Sequence, residues 1–248
     1  MGTPAKLIQL AIWHDGCLDD QTGINGEVEI RKWNPTSEDA DFDGQDDKKI
    51  VFAGEIHSSV YTNLTKQAFA GIVEYRGPES IPVLNSVLRT LASNEIVLNL
   101  SSRTAYGLAN AERFSEMLSH RVSFPAERQP ERLISLHEAI ANAVLHGNLQ
   151  VDSVPLDEGL LGLEKQYGDL EQKLSNPTLA DRRVEVSASW SQPELTICIT
   201  NEGPGYDATK RHHIPSNAPL RRMELIRSLT DHIEIEEKGR QLKLFLRC

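Results

Sequence analysis

Cysteine is scarce in this chain, and the three that occur, Cys17, Cys198 and Cys248, are unevenly spaced and form no C-x-x-C pair. That argues against a disulfide framework or a zinc ribbon, because both need cysteines in closely spaced sets. Long hydrophobic runs are missing too. No stretch approaches the roughly 18 consecutive apolar residues of a membrane-spanning helix. Met1–Leu10 holds one lysine and a short apolar run, so a secretory leader is not expected and a reducing, cytoplasmic location is. Positive charge is also in short supply. The 26 Lys and Arg stand against 36 Asp and Glu, a formal net charge of −10, which repels nucleic-acid phosphates and anionic membranes at long range. Proteins and nucleotides are the partner classes left.

What the chain does hold is a series of short apolar runs alternating with helical patterns. Runs rich in β-branched residues at Leu7–Trp13, Val28–Trp33, Ile50–Ala53, Gly71–Tyr75 and Ile96–Leu100 predict strands. Amphipathic spacing predicts helices at Tyr61–Ala70, Ser80–Ala92 and Ala105–Leu118. This is an α/β layer pattern over residues 1–118. Between Pro35 and Lys49 six Asp or Glu residues occur without hydrophobic periodicity, which reads as an exposed loop. Asp39, Asp41, Asp43, Gly44 and Asp47 copy part of a calcium loop, but Ile50 at the twelfth position cannot give the bidentate carboxylate.

A boundary is expected near Ser119, with a second domain over 119–248. Its predicted elements are a strand at Arg121–Phe124, a helix from about Pro130 to His146 stopped by Gly147-Asn148, and a helix at Gly159–Leu174. A hairpin of Arg183–Trp190 and Leu195–Thr200 follows, each strand alternating apolar and polar residues. After a loop over 201–217 come a helix at Pro219–Leu229 and a final hairpin, Ile233–Glu236 and Gln241–Leu246, turning at Lys238-Gly239.

Within the long helix Glu138, Asn142 and His146 stand four residues apart, drifting only about 80° around the axis and so sharing one face. A carboxamide oxygen can ligate Mg²⁺, and a carboxylate one turn away can orient or deprotonate a nucleophile. By itself the spacing also describes a solvated polar stripe. A second motif follows the strand Leu195–Thr200: Asn201-Glu202-Gly203-Pro204-Gly205, whose glycines let the backbone approach a flat ligand.

Taken together and in this order, Leu136-His137-Glu138-Ala139-Ile140-Ala141-Asn142-Ala143-Val144-Leu145-His146-Gly147-Asn148 and the glycine turn resemble the ATPase superfamily of gyrase and the histidine kinases, and within it the anti-sigma-factor serine kinases of bacteria. Ala180-Asp181-Arg182-Arg183-Val184 is similar to that family's entry into the next strand. The resemblance implies a C-terminal α/β sandwich that binds ATP and Mg²⁺. Asn142 would be the metal ligand, Glu138 the catalytic base, and Asn142, His146, Asn201, Gly203 and Gly205 the nucleotide-facing set. It implies a protein partner, a sigma factor or its phosphorylatable antagonist, with a homodimer as one possible arrangement.

The chain departs from the family's pattern at two places. Asn201 stands where the family has Asp, so adenine would meet an acceptor without charge assistance. The family's phosphate-wrapping glycine box is replaced by Ala218-Pro219-Leu220-Arg221-Arg222, and a proline donates no N–H. Lys210, Arg211, His212 and His213, with Arg221 and Arg222, can supply side-chain phosphate contacts in its place. The alternative is a pseudo-ATPase interaction module; a histidine-kinase-like enzyme is disfavoured because no phosphoacceptor helix precedes the domain. The first half resembles receiver domains in its strand–helix alternation and in Asp15 after the first strand. Gly54-Glu55 and Ser101-Ser102-Arg103 stand where a receiver carries aspartate and lysine, so aspartyl phosphorylation is not expected.

Overall fold

The structure is a computed structural model, and it describes residues 8–13, 28–32, 49–54, 56, 61, 69–90, 95–152, 159–205 and 218–248. Among the described residues nine strands form one mixed sheet in the order β2-β1-β3-β4-β5-β6-β7-β9-β8. The first five are β1 (Ile8–Trp13), β2 (Val28–Lys32), β3 (Lys49–Ala53), β4 (Gly71–Glu74) and β5 (Glu95–Ser101), all at the predicted places and all parallel. The order 2-1-3-4-5 is one of the two common doubly wound arrangements.

The other four strands are antiparallel: β6 (Arg183–Ser191), β7 (Glu194–Asn201), β8 (His232–Glu236) and β9 (Gln241–Arg247). The two sets are sewn together. β5 pairs with β6 in antiparallel register from Glu95↔Ser189 to Ser101↔Arg183, so the sheet runs without interruption across residues 118 and 119.

The helices are α1 (Ile81–Thr90), α2 (Ser102–Gly107), α3 (Asn110–Ser119), α4 (Gln129–Ala141), a π-helical segment (Asn142–Asn148), α5 (Gly159–Ser175), a short α6 (Pro177–Ala180) and α7 (Ala218–Leu229). One apolar layer spans both halves of one sheet face. Ile72, Leu98, Val186, Ile197 and Leu244 from the strands meet Phe114, Met117, Leu136, Ile140 and Ile226 from α3, α4 and α7. A second layer lies on the opposite face, among the described residues under the parallel half only, where Ile50, Phe52, Val73 and Val97 meet Leu84 and Val87 of α1. On that face β6 and β7 present Glu185, Ser187, Ser189, Thr196, Cys198 and Thr200, all half-buried. Burial raises the Cys198 thiol pKa above its ordinary value.

Three expectations need correction. The helix predicted over Ala105–Leu118 is two helices, because the chain breaks at Leu108–Ala109 and Asn110 Nδ2 donates to the carbonyls of Ala105 and Leu108, capping the first. The strand predicted at Arg121–Phe124 is not one. The N–H groups of Arg121 and Val122 turn back to the Leu118 carbonyl, and Val122 and Phe124 are buried in the shared layer without joining the sheet. The Arg132 guanidinium lies 4.6 Å over the Phe124 ring, and burial lowers its pKa. Finally, the helix predicted from Pro130 to His146 changes to π geometry at Asn142. Of the helix expected at Tyr61–Ala70 only Tyr61, Phe69 and Ala70 are described, and the acidic loop Asp39–Asp47 lies outside the described residues. Among the described residues no helix is long and apolar enough to cross a membrane.

Candidate functional site

α4 lies on the shared sheet face between α3 and α7. Its buried side is Leu136, Ala139 and Ile140, continued by Ala143 and Val144, and this apolar stripe sets which way the polar residues turn. Glu138, Asn142 and His146 all stand half-buried at the border of that stripe. The Glu138 side chain keeps 23% of its surface exposed, and its Oε1 lies 4.0 Å from His137 Nδ1. Asn142 opens the π segment, the kind of helical bulge that recurs at functional sites, and its Oδ1 is enclosed with no hydrogen-bond partner. His146 Nδ1 lies 2.7 Å from the Val151 carbonyl, which can only accept, so Nδ1 donates.

The two predicted motifs meet. A Cβ on Gly203 would sit 2.0 Å from the Gly147 carbonyl oxygen, so only glycine allows the turn after β7 to lie directly against the end of the π segment. Gly147 in turn faces the Asn201 side chain, where an added Cβ would come within 2.7 Å. Gly205 has φ +85° and packs on the Lys238 carbonyl in the β8–β9 turn. The glycine turn is therefore wedged between the motif helix and the last hairpin.

Asn201 is 8% exposed, and both ends of its carboxamide are in use. Oδ1 accepts from the Gly203 N–H at 3.0 Å, and Nδ2 donates to the Arg240 carbonyl at 3.0 Å. Because both partners are backbone groups of fixed polarity, an aspartate here would turn a carboxylate oxygen towards a carbonyl. An asparagine, with one donor and one acceptor end, therefore fits this position better than an aspartate.

Sequence reasoning took Asn148 only as part of a helix stop. In the structure it is fully buried and joins three segments. Nδ2 donates to Ser102 Oγ at 2.8 Å and to the Arg183 carbonyl at 2.9 Å, while Oδ1 accepts from the Glu202 N–H at 2.8 Å. Glu202 Oε2 accepts from the Arg183 N–H at 2.7 Å. The Arg183 guanidinium donates to the Glu74 carbonyl and to Ser80 Oγ; burial lowers its pKa, against the pull of Glu74 and Glu202. Its backbone N–H and guanidinium thus serve opposite sides of the seam.

Arg221 and Arg222 fall in the first turns of α7, where the backbone alone is described, and Lys210–His213 lie outside the described residues. A cavity of about 180 Å³ lies on the opposite sheet face between Val87 of α1 and Glu185, Ser187, Thr196 and Cys198, and none of the predicted site residues lines it. No family model and no curated protein matches the chain.

Proposed function

We propose that residues 119–248 are an ATP-binding module of the anti-sigma-factor serine kinase type, acting on a protein partner such as a sigma factor or its phosphorylatable antagonist. The observation that carries this reading is the direct backbone contact of Gly147 with Gly203, which sets the Glu138/Asn142/His146 helix against the glycine turn. Element order supports it: among the described residues two long helices, a strand pair, a helix and a last strand pair follow one another from α4 to β9.

The enclosed, unpartnered Oδ1 of Asn142 suits a hard cation, and Mg²⁺ would be held there with phosphate and water oxygens as its other ligands. When bound, the ion neutralises charge on the phosphate oxygens. Glu138, half-exposed one turn earlier, is the group to take the proton from a partner serine hydroxyl. Asn201, Gly203 and Gly205 form the base-binding end, with the second lone pair of Asn201 Oδ1 as acceptor for the adenine amino group. Arg221 and Arg222 supply phosphate contacts in place of lid glycines.

The roles separate in experiment. Glu138→Ala is expected to slow phosphoryl transfer to a partner serine by about 10²–10⁴-fold while Mg·ATP affinity holds, whereas Asn142→Ala is expected to weaken Mg·ATP binding itself. If the wild type transfers no phosphate and neither substitution changes nucleotide affinity, the module is a pseudo-ATPase that works by protein contact alone.

A further inference from the structure

The glycine turn is held from behind by a polar cluster that the nucleotide reading does not use. Asn148 is its centre, because one fully buried carboxamide bonds the end of the π segment to the start of β6, to Glu202 in the turn, and to Ser102 in the parallel half. Ser102 is itself fixed twice to the Arg182 carbonyl, by its N–H at 2.8 Å and its Oγ at 2.9 Å, and Arg182 Nη1 returns a bond to the Asn148 carbonyl at 2.7 Å. Next to Ser102, the Ser101 N–H and Thr104 Oγ1 donate to the buried Glu74 carboxylate at 2.6 and 2.8 Å. Glu74 ends β4 and Ser101 ends β5. The cluster therefore occupies the carboxyl ends of two adjacent parallel strands, the edge at which open α/β sheets bind their ligands.

We propose that Asn148 is a positioning residue for the glycine turn, and that Ser102 of the parallel half is the anchor through which it acts. The placement of residues 201–205 against Gly147 is then set from the parallel half of the sheet. The inference rests on the nucleotide reading for its consequence, though not for its geometry. Buried hydrogen-bond clusters of this kind restrict their members to one arrangement, and loss of a single donor or acceptor is felt by its neighbours.

The test is amide hydrogen exchange at Glu202 and Gly203 in the full-length protein without nucleotide, beside Mg·ATP titration. Ser102→Ala leaves every group of the turn in place and removes the hydroxyl that accepts from Asn148 and donates to the Arg182 carbonyl, which keeps its bond from the residue 102 N–H. It is expected to speed exchange at Glu202 and Gly203 by about fivefold relative to core amides of β6 and β7, and to raise the Mg·ATP Kd by a similar factor. In an Asn148→Ala background the same substitution is expected to add nothing, because the coupling runs through that side chain. Exchange at Glu202 and Gly203 that is unchanged in Ser102→Ala, or that rises by one common factor with the core, overturns the proposal. Absence of Mg·ATP binding in the wild type counts against the nucleotide reading alone, and the exchange pattern then decides the positioning role.

Discussion

The parallel and antiparallel halves of this sheet are built to different rules although they share one hydrogen-bonded seam. β4 is buried along its whole length, and β5 from its second residue on, because helices pack on both faces there. β6 and β7 alternate buried and half-buried residues, since among the described residues only the face towards α4 is covered by helices. The half with two covered faces has little side-chain freedom and serves as the support. The half with one covered face can use its turns and its single helical layer for a site, and it is at those turns that the polar motifs gather. Asn148, Arg183 and Glu74 lie where the two rules meet.

The first way to break this comparison is to weaken the seam. Leu98 of β5 is 1% exposed in the shared layer, and Leu98→Ala is expected to cost about 4 kcal/mol. Because one core layer crosses the seam, urea unfolding followed by fluorescence and by circular dichroism should stay a single coincident transition at a lower midpoint. Two separated transitions in the wild type would mean that the halves fold independently.

A smaller effect, confined to the antiparallel half, is expected from Gly203→Ala. The added methyl would collide with the Gly147 carbonyl, and the backbone shift is expected to cost about 3 kcal/mol and to abolish nucleotide affinity beyond what the stability loss explains. Denaturation combined with titration of the still-folded fraction checks both parts. Smaller again is Asn201→Asp. Sequence alone predicts tighter adenine binding, since it restores a charged acceptor. The structure predicts a loss of about 2 kcal/mol in stability and no gain in affinity, because the Nδ2 donor to Arg240 is lost and two acceptors face each other. Calorimetry showing tighter ATP binding would return the argument to the sequence reading.

Much of this was legible before any coordinates. The nine described strands lie where short β-branched runs or alternation put them, and Glu138, Asn142 and His146 are all half-buried, Glu138 on α4 and the other two on the π segment. Local periodicity carries that information within a few turns. What it could not carry is the pairing of β5 with β6, which brings Arg183 within 2.8 Å of the Glu74 carbonyl from 109 residues away. Asn148 looked like a helix stop for the same reason: its three partners come from segments distant in the chain. The break in Ala105–Leu118 was missed because Gly107 and Asn110 are tolerated inside an amphipathic pattern, while the capping bond from Asn110 exists only once the chain has turned. Asn201 read as a weakened Asp because its donor role depends on Arg240 in the last hairpin.

The measurement that tests the central claim most directly is a calorimetric titration of the full-length protein with ATP in the presence of Mg²⁺, repeated with Asn142→Ala. The account predicts one site with a Kd on the order of micromolar in the wild type, weakened at least tenfold by the substitution, because the proposed function would have the enclosed, unpartnered amide oxygen of Asn142 hold the cation. No binding at millimolar nucleotide, or equal affinity in the two proteins, would contradict it.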